Sequence, residues 1–342
     1  VSPFYYTLAA PIESARAPAN DPTGFQSSPV PESPTFRDGS RMDRQCPWSV
    51  EGLVRLFAGV LTCVLMGSWA GLLIRIGAGE VPVRVGWLAL PGLAGLATAL
   101  GFTLQRWTWD RFRRQLIGFS LSFHVGLALL SLAHHWAGRS TAPPDYRQVL
   151  VAGLSFQGAA LLLITRFLRS HGTSWRDSFG LDQSPVRALA LGAAAGCVVL
   201  PVAWTLQLLT MALLQRLHLT AEVQVAVQVL QDTPDWRRQL WLAAVAVGLA
   251  PPAEEALFRG LLFRSLQAAG YPRLAWWGTA LLFALVHANA ASFIALVLLA
   301  LWLTWLFVRT GNLLAPIAAH AIFNALNFAA IQLYQHTWSG SG

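Results

Sequence analysis

From about Val54 onward the chain alternates long apolar runs with short polar connections. The runs are about 18 to 25 residues long, the length a helix needs to cross the hydrocarbon core of a bilayer. Nine segments are read: Val54–Ile76, Val85–Leu104, Leu116–Trp136, Val149–Leu168, Ala188–Leu214, Leu240–Leu262, Leu274–Ala288, Phe293–Val308 and Leu313–Tyr334. The seventh and eighth are short and are separated only by the residues around Asn289. They form either a tight helical hairpin or a partly re-entrant pair. A transmembrane β-barrel would show short alternating segments instead. The pattern therefore predicts an all-α fold, a polytopic transmembrane helix bundle with about eight to nine spans.

The connections carry their own signals. Residues 1–49 are rich in Pro, Ser, Asp and Arg and lack a helical period, so they read as a disordered N-terminal tail. No apolar stretch there precedes a small-residue cleavage site, so no signal peptide is expected. Residues 50–186 then hold the N-terminal transmembrane helices, and residues 187–338 the C-terminal bundle that carries the chemistry described below. The longest connection, about Gln215 to Gln239, contains an alternating stretch, Glu222–Leu230, that fits a short strand or an interfacial lid. Pro201 lies within the fifth span and Pro251–Pro252 within the sixth, where proline removes a helical hydrogen bond and kinks or breaks the helix. A restart at Pro252 would present a half-helix N-terminus to the residues that follow.

Composition agrees with this class: the chain is 55% hydrophobic and 12% charged, about half the charged share of a soluble domain. The net charge of +8 resides in arginines, with no lysine in the chain. It fits loops facing the cytoplasm and anionic lipid, and no nucleic-acid partner is expected. Arg37, Arg41, Arg44 and Arg55 before or at the first span, Arg106 to Arg114 in the second connection, and Arg166 to Arg187 in the fourth favour a cytoplasmic N-terminus. Cys46, Cys63 and Cys197 are scattered, which argues against a disulfide framework or a thiolate metal site.

Against this background two adjacent carboxylates, Glu254 and Glu255, stand inside an apolar run, and no other apolar segment holds one. An ionisable group in lipid marks a functional site by default. In a helix Glu255 and Arg259 share a face at i and i+4 and can pair, while Glu254 is turned about 100° away and needs another partner. Two acids for one base leave a carboxylate over. Phe283 and His287 share a face of the seventh segment, and His320 and Asn324 a face of the last. Each of these alone is more simply interhelical glue, as Asn289 and Asn327 can be. Together they are complementary. A carboxylate with a neutral imidazole can hold and deprotonate water. A second imidazole and a carboxamide can donate to a developing oxyanion. No HExxH helix and no Ser-His-Asp grouping is present.

The three motifs, EExxxR at Glu254, Glu255 and Arg259, FxxxH at Phe283 and His287, and HxxxN at His320 and Asn324, resemble in order and spacing those of the CAAX-protease and bacteriocin-processing (CPBP/Abi) family of intramembrane endopeptidases. The stretch Arg309–Leu313 also resembles the connection before that family's last motif. The resemblance covers about Leu240 to Asn327. The chain departs from it between His287 and Arg309, where Ala, Leu, Trp302 and Trp305 stand in place of frequent glycines. The resemblance implies Glu254 as general base with His287, and His320 and Asn324 as oxyanion donors. It implies Glu255 and Arg259 as a supporting ion pair, and Phe283 lining the site. A zinc ion held by Glu254, His287 and His320 is compatible with three donors and an open position. A metal-free, glutamic-type site suits Asn324 better, so no cofactor is expected. The implied partners are the lipid bilayer and a peptide or protein substrate, and the implied location is the bacterial inner membrane. A transporter or ion-binding protein built on the proline-broken acidic helix, and a non-catalytic membrane scaffold, are the alternatives.

Overall fold

The computed structural model describes residues 46–138, 145–219 and 224–339, with side chains as far as Leu333. The tail reading of 1–49 thus lies outside the described residues except for its last four. Among the described residues every regular element is a helix. Eight helices are long and apolar enough to cross a membrane: α1 (Val50–Gly77), α2 (Val83–Leu104, opening with a 3₁₀ turn), α3 (Trp109–Ala137), α4 (Tyr146–Ser170), α6 (Pro185–Arg216), α8 (Trp236–Ala268), α10 (Phe293–Thr310) and α11 (Leu314–Ser339). Between them lie the short α5 (Trp175–Phe179), α7 (Val225–Gln231) and the apolar α9 (Leu274–Val286). The protein is an all-α polytopic helix bundle.

The caps explain several boundaries. Ser49 accepts a hydrogen bond from the Gly52 amide and starts α1 earlier than the hydropathy suggests. Pro185 occupies the first turn of α6, where its missing N–H costs nothing. Asn289 accepts from the amide and hydroxyl of Ser292, which starts α10 immediately after α9. The seventh and eighth segments are therefore a tight hairpin, one of the two forms the sequence allowed.

One alternative and one expectation do not hold. Val225–Gln231 is a helix, so the alternating stretch is not a strand; Glu222 and Val223 lie outside the described residues. Nor does α8 restart at Pro252. It runs through Pro251 and Pro252 because the preceding turn, Ala244–Leu249, widens to a π turn, in which the Ala250 amide reaches back to the Val245 carbonyl. The rings are accommodated without exposing a helix N-terminus. Likewise Pro201 sits inside an unbroken α6.

Two cores result. One joins α1, α2 and α3 around Trp69, Leu96 and Phe123. The larger one gathers the start of α1, α4, α5, α6 and α8 to α11 around Phe179, Leu257, Phe263, Phe283 and Leu303, so residues on both sides of position 186 share it. Small residues set the placement of α11. A side chain at Gly192 or Gly196 of α6 would meet the backbone carbonyls of Ala315 and Ala319 at 2.3 and 2.6 Å, the close backbone approach that small residues at i and i+4 permit between membrane helices. The fully buried Asn312 fixes the start of α11: its Oδ1 accepts from the Leu314 amide, and its Nδ2 donates to the Gln183 carbonyl. Trp302, stacked on Trp305, donates to the Ala195 carbonyl and ties α10 to α6.

Candidate active site

α8 and α11 bring the acidic pair and the last motif together. Glu254, Glu255, Arg259 and His320 are all buried, Glu255 completely. Arg259 places Nη1 2.9 Å from Glu255 Oε1, so the i, i+4 pairing read from the sequence is present. Its Nη2 donates to the Ala300 carbonyl at 2.9 Å and its Nε to Thr304 Oγ1 at 3.4 Å, both on α10. The guanidinium also lies 4.7 Å from the centre of the Phe283 ring on α9. One arginine thus fastens three helices, using the planar fork that lysine lacks.

His320 bridges the two glutamates. Its Nδ1 is 2.9 Å from Glu255 Oε1 and its Nε2 4.0 Å from Glu254 Oε2. Glu255 Oε1 therefore serves both Arg259 and His320, while its Oε2 is buried with no hydrogen-bond partner among the described residues. Glu254 is held from a direction the sequence reading missed. Gln157 of α4 donates its Nε2 to Glu254 Oε1 at 3.3 Å. The only signal for Gln157 in the sequence is a carboxamide in an otherwise apolar run, with no motif around it.

Phe283 is the central apolar wall. Its ring lies 5.8 Å from His320, 4.8 Å from His287 and 5.2 Å from Phe258, centre to centre. His287 is half-buried at the end of α9, and its Nδ1 is 2.7 Å from the Phe283 carbonyl. A carbonyl can only accept, so Nδ1 carries the proton and Nε2 of the neutral ring keeps a lone pair. Asn324 points its Nδ2 at the Ala246 carbonyl of α8, 2.8 Å away. A cavity of about 410 Å³ beside the α9–α10 turn is lined by Thr210, Ala284, Leu285, Ala288 and Phe293, and not by the motif residues.

Three π turns surround this arrangement: Leu154–Gly158 holds Gln157, Ala244–Leu249 holds Ala246, and Ala256–Phe263 holds Arg259. Such turns widen the helix, rotate side chains out of the regular register, and are frequent at functional sites.

The donors do not fit a metal ion. Among the described residues no group of three His, Cys, Asp or Glu side chains is placed to hold one. Glu254, His287 and His320, the ligand set that the resemblance allowed, do not form such a group.

Residues 236–326, from the start of α8 into α11, match the family model of type II CAAX prenyl endopeptidase Rce1-like proteins. The match supports a CAAX protease family assignment for this segment. No curated protein and no solved structure matches the chain. The family match supports a CAAX-type intramembrane endopeptidase in general. With the eight long apolar helices it supports a multi-pass membrane protein acting on a peptide or protein substrate.

Proposed function

We propose that the chain is a glutamic-type intramembrane endopeptidase of the bacterial inner membrane, its N-terminus cytoplasmic, cutting a peptide bond in a membrane-associated or lipid-tailed substrate. The carrying observation is the placement of Glu254: buried, with no arginine bonded to it among the described residues, its Oε2 facing His320 and its Oε1 accepting from a neutral amide. The acid that the ion pair leaves over is thus the one set between two polar side chains of other helices. A 4.0 Å gap between Glu254 Oε2 and His320 Nε2 is too long for a direct hydrogen bond and suits one shared water.

The tautomers support a division of labour. His287, with its proton on Nδ1, keeps an Nε2 lone pair and can share with Glu254 the proton that leaves the water. His320, with Nδ1–H on Glu255, becomes a donor at Nε2 when it is an imidazolium. Then two carboxylates face one guanidinium and one imidazolium, and the buried cluster is neutral, as a low-dielectric interior requires. In the reaction the water oxygen adds to the substrate carbonyl carbon while its proton passes to Glu254. His320 Nε2–H and the second N–H of Asn324 Nδ2 stabilise the oxyanion. Collapse breaks the C–N bond, and the proton on Glu254 goes to the leaving amine. Glu255 and Arg259 hold His320 in place, and Phe283 walls the site.

The transporter alternative drew its support from a half-helix terminus beside the acids, and the unbroken α8 removes that support. The test uses purified protein in detergent with an internally quenched peptide ending in a farnesylated-cysteine tail. Mass spectrometry of the products is expected to locate one cut near the lipidated cysteine. Ion flux in proteoliposomes without any cleavage would contradict the reading.

A further inference from the structure

We propose that Gln157 is a water-positioning residue of this site, an inference that rests on the hydrolytic reading of Glu254. Gln157 lies on α4, in the N-terminal half of the chain and outside the residues matched by the family model. Its Nε2 donates to Glu254 Oε1, an orientation chemistry requires, since the amide oxygen and a carboxylate would both be acceptors. The consequence lies at the other end of the carboxamide. Gln157 Oε1 is sealed from solvent and has no hydrogen-bond partner among the described residues.

A sealed, unmatched amide acceptor destabilises the fold, and packing does not call for one here. The neighbouring Phe156 and Leu161 pack against the apolar core, and an aliphatic residue would continue that surface. An interhelical tie to Glu254 needs only the N–H. The oxygen beside it is explained by a ligand that brings protons to both groups. Water that enters with substrate and binds Glu254 is such a ligand. It gives one O–H to the carboxylate and directs the second outward, where the Gln157 oxygen, fixed by the bond its own nitrogen makes to Glu254, accepts it. With both O–H bonds held, the lone pair of the water oxygen points away from these acceptors and toward the substrate carbonyl. This is the orientation that makes attack effectively intramolecular. The Nε2–H also occupies Glu254 Oε1 and leaves Oε2, the oxygen facing His320, for the water. The π turn Leu154–Gly158 carries Gln157 and widens α4 at this point. By this account the fourth span supplies part of the reacting assembly and is more than scaffold.

The experiment measures kcat and KM for the full chain in detergent on the farnesylated quenched peptide, with thermal unfolding in parallel, for wild type, Gln157→Leu and Gln157→Met. Two apolar variants of different shape guard against one that fails to fold. The expected result is a fall in kcat of about 10²-fold with KM and the unfolding midpoint unchanged. Cleavage by wild type with kcat retained in both variants overturns the inference and leaves the endopeptidase reading standing. A rise in KM alone, or a fall of kcat that follows the unfolding midpoint in both variants, also overturns it. Absence of cleavage by the wild type overturns the endopeptidase reading and this inference with it.

Discussion

Asn324 of α11 donates to the carbonyl of Ala246 on α8, 2.8 Å away. In the π turn ending at Leu249, the next amide to reach back five residues to Ala246 would be that of residue 251, and Pro251 has none. The proline therefore frees a partly buried carbonyl and Asn324 satisfies it. The same contact sets the carboxamide over the turn that leads into Glu254, so one bond serves both the fold and the position proposed for an oxyanion donor.

Asn324→Ala is accordingly expected to lower stability by about 1 kcal/mol, the loss of one partly buried hydrogen bond. Adding Pro251→Ala returns an N–H to the helix and should recover much of that loss without restoring peptide cleavage. Thermal unfolding and activity on the double variant check both halves. Equal loss of stability in the single and double variants would deny the link between the two residues.

The two glutamates should separate cleanly. Glu255 Oε1 faces both Arg259 and His320, so Glu255→Gln leaves a buried guanidinium without its counter-charge and is expected to destabilise by about 3–5 kcal/mol. Glu254 bonds no arginine among the described residues, and Glu254→Gln is expected to leave the unfolding midpoint near that of wild type. Matched unfolding curves for the two variants decide the point.

Arg259→Lys is not conservative at this position. A single ammonium cannot reproduce the bonds to Glu255, Ala300 and Thr304 or the face-on contact with Phe283. A loss of stability of the same order as in Glu255→Gln is expected, and a variant as stable as wild type would show that the fork geometry is dispensable.

Gly192→Val tests how α11 is held. The new Cβ would meet the Ala315 carbonyl at 2.3 Å, backbone that cannot turn aside, so overpacking of about 1–3 kcal/mol is expected. Displacement of His320 and Asn324 with their helix should lower activity too. Gly71→Val, where a Cβ meets nothing within 4 Å, is the control expected to leave both unchanged.

Much of this was legible in the residues themselves. Hydropathy alone marked the spans, because a helix crossing lipid must be apolar along most of its length. The Glu255–Arg259 pair was legible because i, i+4 spacing is local geometry. What could not be read was whatever depends on the helix departing from its regular period. The π turn before Pro251 turned an expected break into a continuous span, and no residue pattern announces that turn. Gln157 reaches Glu254 across 97 positions of chain from a stretch without a motif. The partner of His320 could not be read either: its nearer carboxylate is Glu255 at 2.9 Å, with Glu254 at 4.0 Å, a contact between helices far apart in the chain. The alternating Val225 to Val229 stretch coils into a helix, since period-two patterning in so short a piece does not outweigh the absence of a strand partner.

The central claim is that the carboxylate of Glu254 activates water for peptide hydrolysis. Its most direct test is the rate of cleavage of the farnesylated peptide by wild type and Glu254→Gln, purified in the same detergent and matched for thermal midpoint. The account predicts that the substitution lowers kcat by about 10²- to 10⁴-fold while the protein stays folded. A folded Glu254→Gln variant that cleaves at the wild-type rate would contradict it.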